Sequence, residues 1–338
     1  MGDKTKIQWT EASWNPVRGC SRVSEGCRNC YAEKQAARFS GPGQPYEGLI
    51  QITSGGPRWN GEVKFVEEHL ADPLRWKRPR RIFVNSMSDL FHEALSNEQI
   101  AAIFGVMAAA SQHTFQVLTK RAKRMREWFA WLAPTKAAEQ DRAAAACVDR
   151  ARDLLRPHLG PADLAPWETP TVLARGWTEP WPLPNVWLGV SVEDQKSADE
   201  RIPLLLETPA AVRWVSYEPA LGPVDFEPWL GEQGFESGGP CGWVPTGEGL
   251  SWVVVGGESG LGARPFDLAW ARSTIAACKA AGVPCFVKQL GARPYTVSPP
   301  GGDLAINGVE MRLGDRKGGD PAEWSEDLRV REWPEARA

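Results

Sequence analysis

Short runs of apolar, β-branched and aromatic residues recur along the chain, with helical patterns between them. The runs are Ile82–Asn85, Thr114–Leu118, Asn185–Val190, Val212–Ser216, Ser251–Val255 and Pro284–Val287, with Ile7–Trp9 as the expected first strand. Their near-continuous apolar character predicts strands buried on both faces, as in a parallel sheet. Ile100, Ile103, Phe104 and Met107 share one helical face, and Ser96 with Gln99 forms a capping box ahead of them. Ala271, Ile275 and Cys278 repeat the helical spacing before Gly282, a helix stop, and Tyr31–Phe39 reads as a helix. This strand–helix succession predicts an α/β fold built as a partial (β/α)6-7 barrel rather than a sandwich.

Two stretches break the alternation. Residues 134–184 carry an Ala-rich piece and a Pro/Trp-rich loop, and residues 220–250 are rich in Gly and Pro. Both are expected as insertions on a rim of the barrel, where long loops act as lids or binding loops. The barrel is expected to span residues 1–293, followed by an irregular extension over 294–338 with a small hairpin near Ala305–Arg312.

Composition adds limits more than directions. The chain has 338 residues, 42% hydrophobic and 24% charged, enough for one large α/β core. No run of about 18 apolar residues is present, so no membrane span is expected. Met1–Lys6 leads into no apolar segment of the secretory kind, which points to a cytoplasmic protein. A net charge of −3 excludes the whole molecule as an electrostatic nucleic-acid binder. Two local basic runs, Arg75–Arg81 and Lys120–Arg126, read either as solvated charge flanking strands or as a phosphate-binding rim. The seventeen tryptophans are expected as core and loop anchors.

Of seven cysteines, Cys147, Cys241, Cys278 and Cys285 are scattered, but Cys20, Cys27 and Cys30 lie in one loop with C-x6-C-x2-C spacing. Clustered cysteines in a reducing compartment read as metal ligands. A structural zinc site needs four protein ligands, and no second pair and no suitably spaced histidine accompanies these three. Three thiolates suit a 4Fe-4S cluster with one iron left free. Zinc in a binding module without catalysis, and an iron–sulfur sensor or electron carrier, stand as the alternatives.

The spacing resembles the C-x3-C-x2-C signature of radical S-adenosylmethionine (SAM) proteins, with the first gap widened. It also sits where theirs does, after a first strand and before a helix. Over nearly its whole length the chain resembles a phage- and bacterium-encoded family of unknown function described as three-Cys-motif proteins. The resemblance is carried by Ile7–Pro16, the cysteine run, Asn85–His92, Gln116–Arg121, Gly189–Glu193, Ser216–Pro219, Gly256–Gly260 and Phe286–Gln289.

The radical SAM resemblance implies a barrel of that type, a 4Fe-4S cluster on Cys20, Cys27 and Cys30, and SAM across the C-terminal mouth. It implies an external electron donor and hydrogen abstraction from a substrate. The phage association and the basic runs point that substrate toward nucleic acid or nucleotide. The Gly-Gly-Glu element common at the second-strand end is missing, so Ser86, Ser88 or Asp89 would take its place. Ser191 and Glu193, on one side of the fourth strand by alternation, would meet the ribose hydroxyls. Lys120, with Arg121, would meet the SAM carboxylate or a substrate phosphate. Glu218, Gly256, Gly257, Glu258 and Lys288 complete the expected mouth, and Cys285 is a candidate hydrogen donor to a substrate radical.

Overall fold

The computed structural model describes residues 5–132, 182–233, 247–297 and 308–334, with parts of 146–156. Seven strands form one sheet: β1 (Ala12–Trp14), β2 (Arg81–Val84), β3 (Thr114–Thr119), β4 (Val186–Val192), β5 (Val212–Tyr217), β6 (Trp252–Gly256) and β7 (Cys285–Gln289). They lie in sequence order, and each pairs in parallel with its chain neighbour. The sheet is curled into a half-barrel. One side chain demonstrates the curl: the Trp9 ring meets Phe83 of β2, Trp214 of β5 and Trp252 of β6, with centroids 4.8, 5.2 and 6.2 Å away. A flat sheet would hold β2 and β6 four strand spacings apart, beyond the reach of an indole.

The two faces are buried for different reasons. Outward, Val186, Leu188, Val190 and Val192 of β4, with Val253 and Val255 of β6, pack in the main core shared with the helices. Inward, Phe83, Trp187, Val212, Trp214, Trp252, Val254 and Phe286 close around Trp9 as an aromatic plug. This double burial is why the strands read as unbroken apolar runs. Trp214 fits only because β4 has Gly189 beneath its ring; a Cβ there would lie 2.5 Å from the indole.

The helices are α1 (Tyr31–Ala37), α2 (Asn97–Ala109), α3 (Ala122–Leu132), α4 (Gln195–Leu206) and α5 (Leu268–Ala280). The capping box at Ser96 and Gln99 forms as expected, and α5 ends just before Gly282, which takes φ +68°. Among the described residues no helix is long and apolar enough to cross a membrane.

Two expectations are corrected. The first strand is Ala12–Trp14, not Ile7–Trp9, because Trp9 serves as the plug and Ile7–Thr10 turns to deliver it. The C-terminal segment does not form a separate extension. Pro294–Val297 pairs with Phe266–Asp267 and Gly308–Glu310 in a three-stranded sheet, and Val330–Glu332 bonds to the free edge of β7. Trp333 then seals the lower end, 4.9 Å from Phe286. Both long stretches fall between consecutive sheet strands, as expected: 134–184 between α3 and β4, and 220–250 between β5 and β6. Most of the first and part of the second, including Cys241, lie outside the described residues; Cys147 and Ala151 pack on Gly105 of α2.

Candidate functional site

The chain leaves β1 at the C-terminal mouth of the half-barrel, pairs Val17–Arg18 with Lys64–Phe65, and turns at Gly19 (φ +93°) into the cysteine loop. Any side chain at Gly19 would overlap the Glu62 carbonyl. Cys30 ends the loop as the residue before α1. The loop is docked by buried carboxylates from three different strand ends.

Asp89, after β2, accepts from Thr119 Oγ1 (2.7 Å), Lys120 N (3.1 Å) and Arg121 Nη1 (3.1 Å). It thereby holds Arg121, which donates to Ser21 O (3.2 Å) and Ser21 Oγ (2.8 Å) and lies 3.9 Å from Cys20 Sγ. Glu193, after β4 and 3% exposed, accepts from Ser24 Oγ at 2.9 Å, Lys120 Nζ at 2.5 Å and Arg201 Nη1 at 3.1 Å. Gly26 crosses directly over the Glu193 carboxylate, leaving no room for a Cβ. Glu258, after β6, accepts from Asn29 Nδ2 (2.9 Å) and from Arg264 through its backbone N, Nε and Nη2. Residues expected to touch a ligand therefore engage the loop: Asp89, Lys120, Arg121, Glu193 and Glu258 all hold it in place.

The three thiols are free and partly accessible. They feel one another's charge, and burial pushes Cys20 up to about 12, aided by Asp89 and opposed by Arg121. Burial raises Cys30 as well. Among the described residues no group of three or more His, Cys, Asp or Glu side chains is placed to hold a metal ion, and Cys20, Cys27 and Cys30 are no exception. Zinc would draw its sulfurs to about 2.3 Å from one point. A cluster would instead spread three thiolates over several irons.

Other expected residues line or brace the mouth. Glu218 and Lys288 form an ion pair with both carboxylate oxygens 2.7 Å from Nζ. Ser86 Oγ donates to Asn15, and Ser88 Oγ to Val17 O. Ser191 lies on the inner face beside Ser216, its register partner on β5. Gly256 and Gly257 admit the backbone of Gln289 and Leu290. Cys285 alone points away: it is on the helix-covered face, in the main core with Cys278 of α5, and its hydrogen bond with the Cys278 thiol, then burial, raises its pKa well above the usual range. The sheet thus separates it from the mouth.

Two residues escaped the sequence reading. Tyr31 keeps 57% of its surface accessible, and burial together with the neighbouring Cys30 raises its phenol pKa. Its hydroxyl donates to Ser86 O at 2.5 Å. Asn85, 3% exposed, ends β2 at φ +60°, and neither end of its amide has a partner among the described residues. A buried amide without partners costs about 1–3 kcal/mol. The signal for it was local: asparagine directly after an apolar strand is the residue that tolerates a left-handed backbone.

The basic runs resolve differently from a phosphate rim. In Lys120–Arg126, Lys120 and Arg121 are spent on the loop, Arg124 donates to Asn97 and Arg126 to Glu207. Arg75–Arg81 leads into the start of β2, at the opposite end from the mouth, where Arg81 pairs with Glu11 and covers Trp333.

Glu193 and Glu258 are both held below the usual carboxylate range. Burial opposes their charge; Lys120 and Arg201 overcome this for Glu193, and Arg264 and Asn29 for Glu258. Their folded pKa values lie below the unfolded value of about 4.3, so their contribution is complete above that pH and is lost as pH falls through the folded values. We expect urea midpoints to be flat from about pH 7 to 5.5 and to drop below about pH 4.3. The drop should be smaller in Glu193→Gln; an equal drop in both proteins would remove Glu193 as a cause.

The molecule is thus an α/β half-barrel protein with a three-cysteine loop docked at its C-terminal mouth. The chain belongs to a family described as "Protein of unknown function (DUF5131)", which it matches over residues 4–319. No curated protein and no solved structure matches it.

Proposed function

We propose that this protein is a radical SAM enzyme, with a 4Fe-4S cluster held by Cys20, Cys27 and Cys30. The observation that carries the reading is the placement of three partly accessible thiols on one loop at the mouth of a curled parallel sheet, pinned there by Asp89, Glu193 and Glu258 from the ends of β2, β4 and β6. When bound, the cluster supplies the electron that cleaves the sulfonium C–S bond of SAM.

The chain's own part is positioning and exclusion of water. Arg121, fixed by Asp89 and Glu93, places its guanidinium beside Cys20 and braces the loop through Ser21. The aromatic plug fills the half-barrel below the mouth, so that end gives a ligand no passage. Asn85, Ser191 and Ser216 with the Glu218–Lys288 pair offer polar groups to a SAM-sized ligand at the strand ends, where α/β barrels bind ligands. Cys285 has no role in this reading, because it lies behind the sheet.

Anaerobic reconstitution with iron and sulfide, then dithionite and SAM, tests the proposal. We expect bound iron and acid-labile sulfide, and 5′-deoxyadenosine released on reduction. Cys27→Ala should lose most of the iron and all of the product. A protein that binds one zinc and no sulfide, or that carries a full cluster and never cleaves SAM, would sink the reading.

A further inference from the structure

The cations inside the mouth are already neutralised. Lys120 and Arg201 meet Glu193, Arg121 meets Asp89 and Glu93, Arg264 meets Glu258, and Lys288 meets Glu218. None of them is free to grip a phosphate.

The outer surface of α1 is different. Tyr31, Lys34, Gln35 and Arg38 fall at i, i+3, i+4 and i+7, one stripe of the helix, and all four are exposed. Lys34 reaches only the Leu261 carbonyl, at 3.4 Å. Lys34 and Arg38, and Arg58 on the hairpin strand Gly56–Trp59 that packs on α1, have no carboxylate partner among the described residues. The exposed acid nearest the cysteine loop, Glu25, is itself placed between Arg28 and Arg264.

Aromatic rings accompany these charges. Tyr31 opens the stripe directly after Cys30, and Phe39, 45% exposed, follows its last cation. Of the seven large hydrophobic residues exposed among those described, five (Val23, Tyr31, Phe39, Ile52 and Leu261) belong to the cysteine loop, α1 and the segments beside them. This places the apolar exposure at one site instead of scattering it.

Cations interleaved with exposed rings are the requirement for a single-stranded nucleic acid, whose phosphates need charge and whose unstacked bases need flat apolar partners. Lys34 and Arg38 are one helical turn apart, about 6 Å along the axis, comparable to the step between phosphates on an extended strand. A duplex shields its base faces and would use the charges alone. We infer that the outer stripe of α1 carries a single-stranded nucleic acid into the mouth, with phosphates on Lys34, Arg38 and Arg58 and bases against Tyr31 and Phe39. This names the substrate class for the proposed radical SAM site, and it rests on that reading for what happens to the strand once inside.

Fluorescence anisotropy on the full-length protein, with a fluorescein-labelled 20-nucleotide single-stranded DNA, its RNA counterpart and the DNA duplex, tests the inference. Single strands should bind more tightly than the duplex. Three phosphate contacts should give a log–log salt slope of about −2. The double variant Lys34→Glu/Arg38→Glu should bind single strands at least tenfold more weakly, with unchanged iron content and melting temperature. Phe39→Ala should weaken binding severalfold and leave the salt slope unchanged. Failure of both single strands to bind at low salt, or equal binding by the double variant, would overturn it. So would a double variant that binds strands normally but is reduced more slowly by an acidic one-electron carrier protein, since the stripe would then be a protein dock. Cluster content and SAM cleavage are read separately. A protein that binds strands through these residues but holds no cluster retires the radical SAM reading and leaves the strand path standing; the converse result retires the path alone.

Discussion

Replacing Glu193 with alanine is expected to destabilise the protein by about 3–5 kcal/mol, the cost of removing one member of a buried ion pair. The carboxylate is 3% exposed and faces Lys120, Arg201 and Ser24. Without it, Arg201 keeps only the Ser191 carbonyl at 2.6 Å, and Lys120 loses its counter-charge. Two partly desolvated cations then remain uncompensated. The loop should loosen as well, because Ser24 loses its acceptor and Gly26 the group it packs against. The combined signature is a lower urea midpoint together with retention of the proposed cluster's iron reduced beyond what partial unfolding explains. Glu193→Gln keeps the shape and an acceptor, so it should fall between wild type and alanine. An alanine variant within about 1 kcal/mol of wild type would mean that the network is solvated and that the loop is held elsewhere.

Trp252→Ala should cost about 3–5 kcal/mol for a different reason. This ring is fully buried at the centre of the plug. Its centroid lies 5.3 Å from Trp214, 5.9 Å from Trp187, and 6.2 Å from both Trp9 and Phe286. It ties β4, β5, β6 and β7 together across the concave face, where no helix can fill in. Rigid neighbours from several strands leave little room for collapse, so most of the removed volume should persist as a cavity. The variant should retain its cysteine loop, since none of the three docking carboxylates touches the plug. Loss of stability with iron content preserved is the pattern that separates it from Glu193→Ala. A cost below about 2 kcal/mol would show that the plug repacks.

The alternation of strands and helices was legible because each local pattern agreed with the global fold. Strands β2 to β7 are apolar on both faces, and Ser96 with Gln99 and Gly282 mark helix ends by local hydrogen bonding and backbone freedom alone. The first strand was misplaced because Ile7–Trp9 and Ala12–Trp14 are equally short and apolar; only the curl of the sheet decides which one pairs with β2 and which fills the interior. The C-terminal segment looked irregular because its order comes from distant backbone partners on β7, which no local periodicity records.

At the site, chain position was enough to nominate Asp89, Glu193 and Glu258 as residues of a barrel mouth. It could not say what they face. That depends on Arg121, Lys120, Arg201 and Arg264 arriving from other segments, and on Gly26 bringing the loop onto Glu193. The sequence by itself determined the strand–helix order, the helix caps and the three-cysteine loop after the first strand, because these rest on neighbours within a few positions. The tertiary structure alone decided which charged residues are spent on holding that loop, that Cys285 lies behind the sheet, and that unpaired cations remain on α1. Pairing and facing are set by the curl of seven strands, and they join residues far apart in the chain, such as Asn29 and Glu258, 229 positions apart.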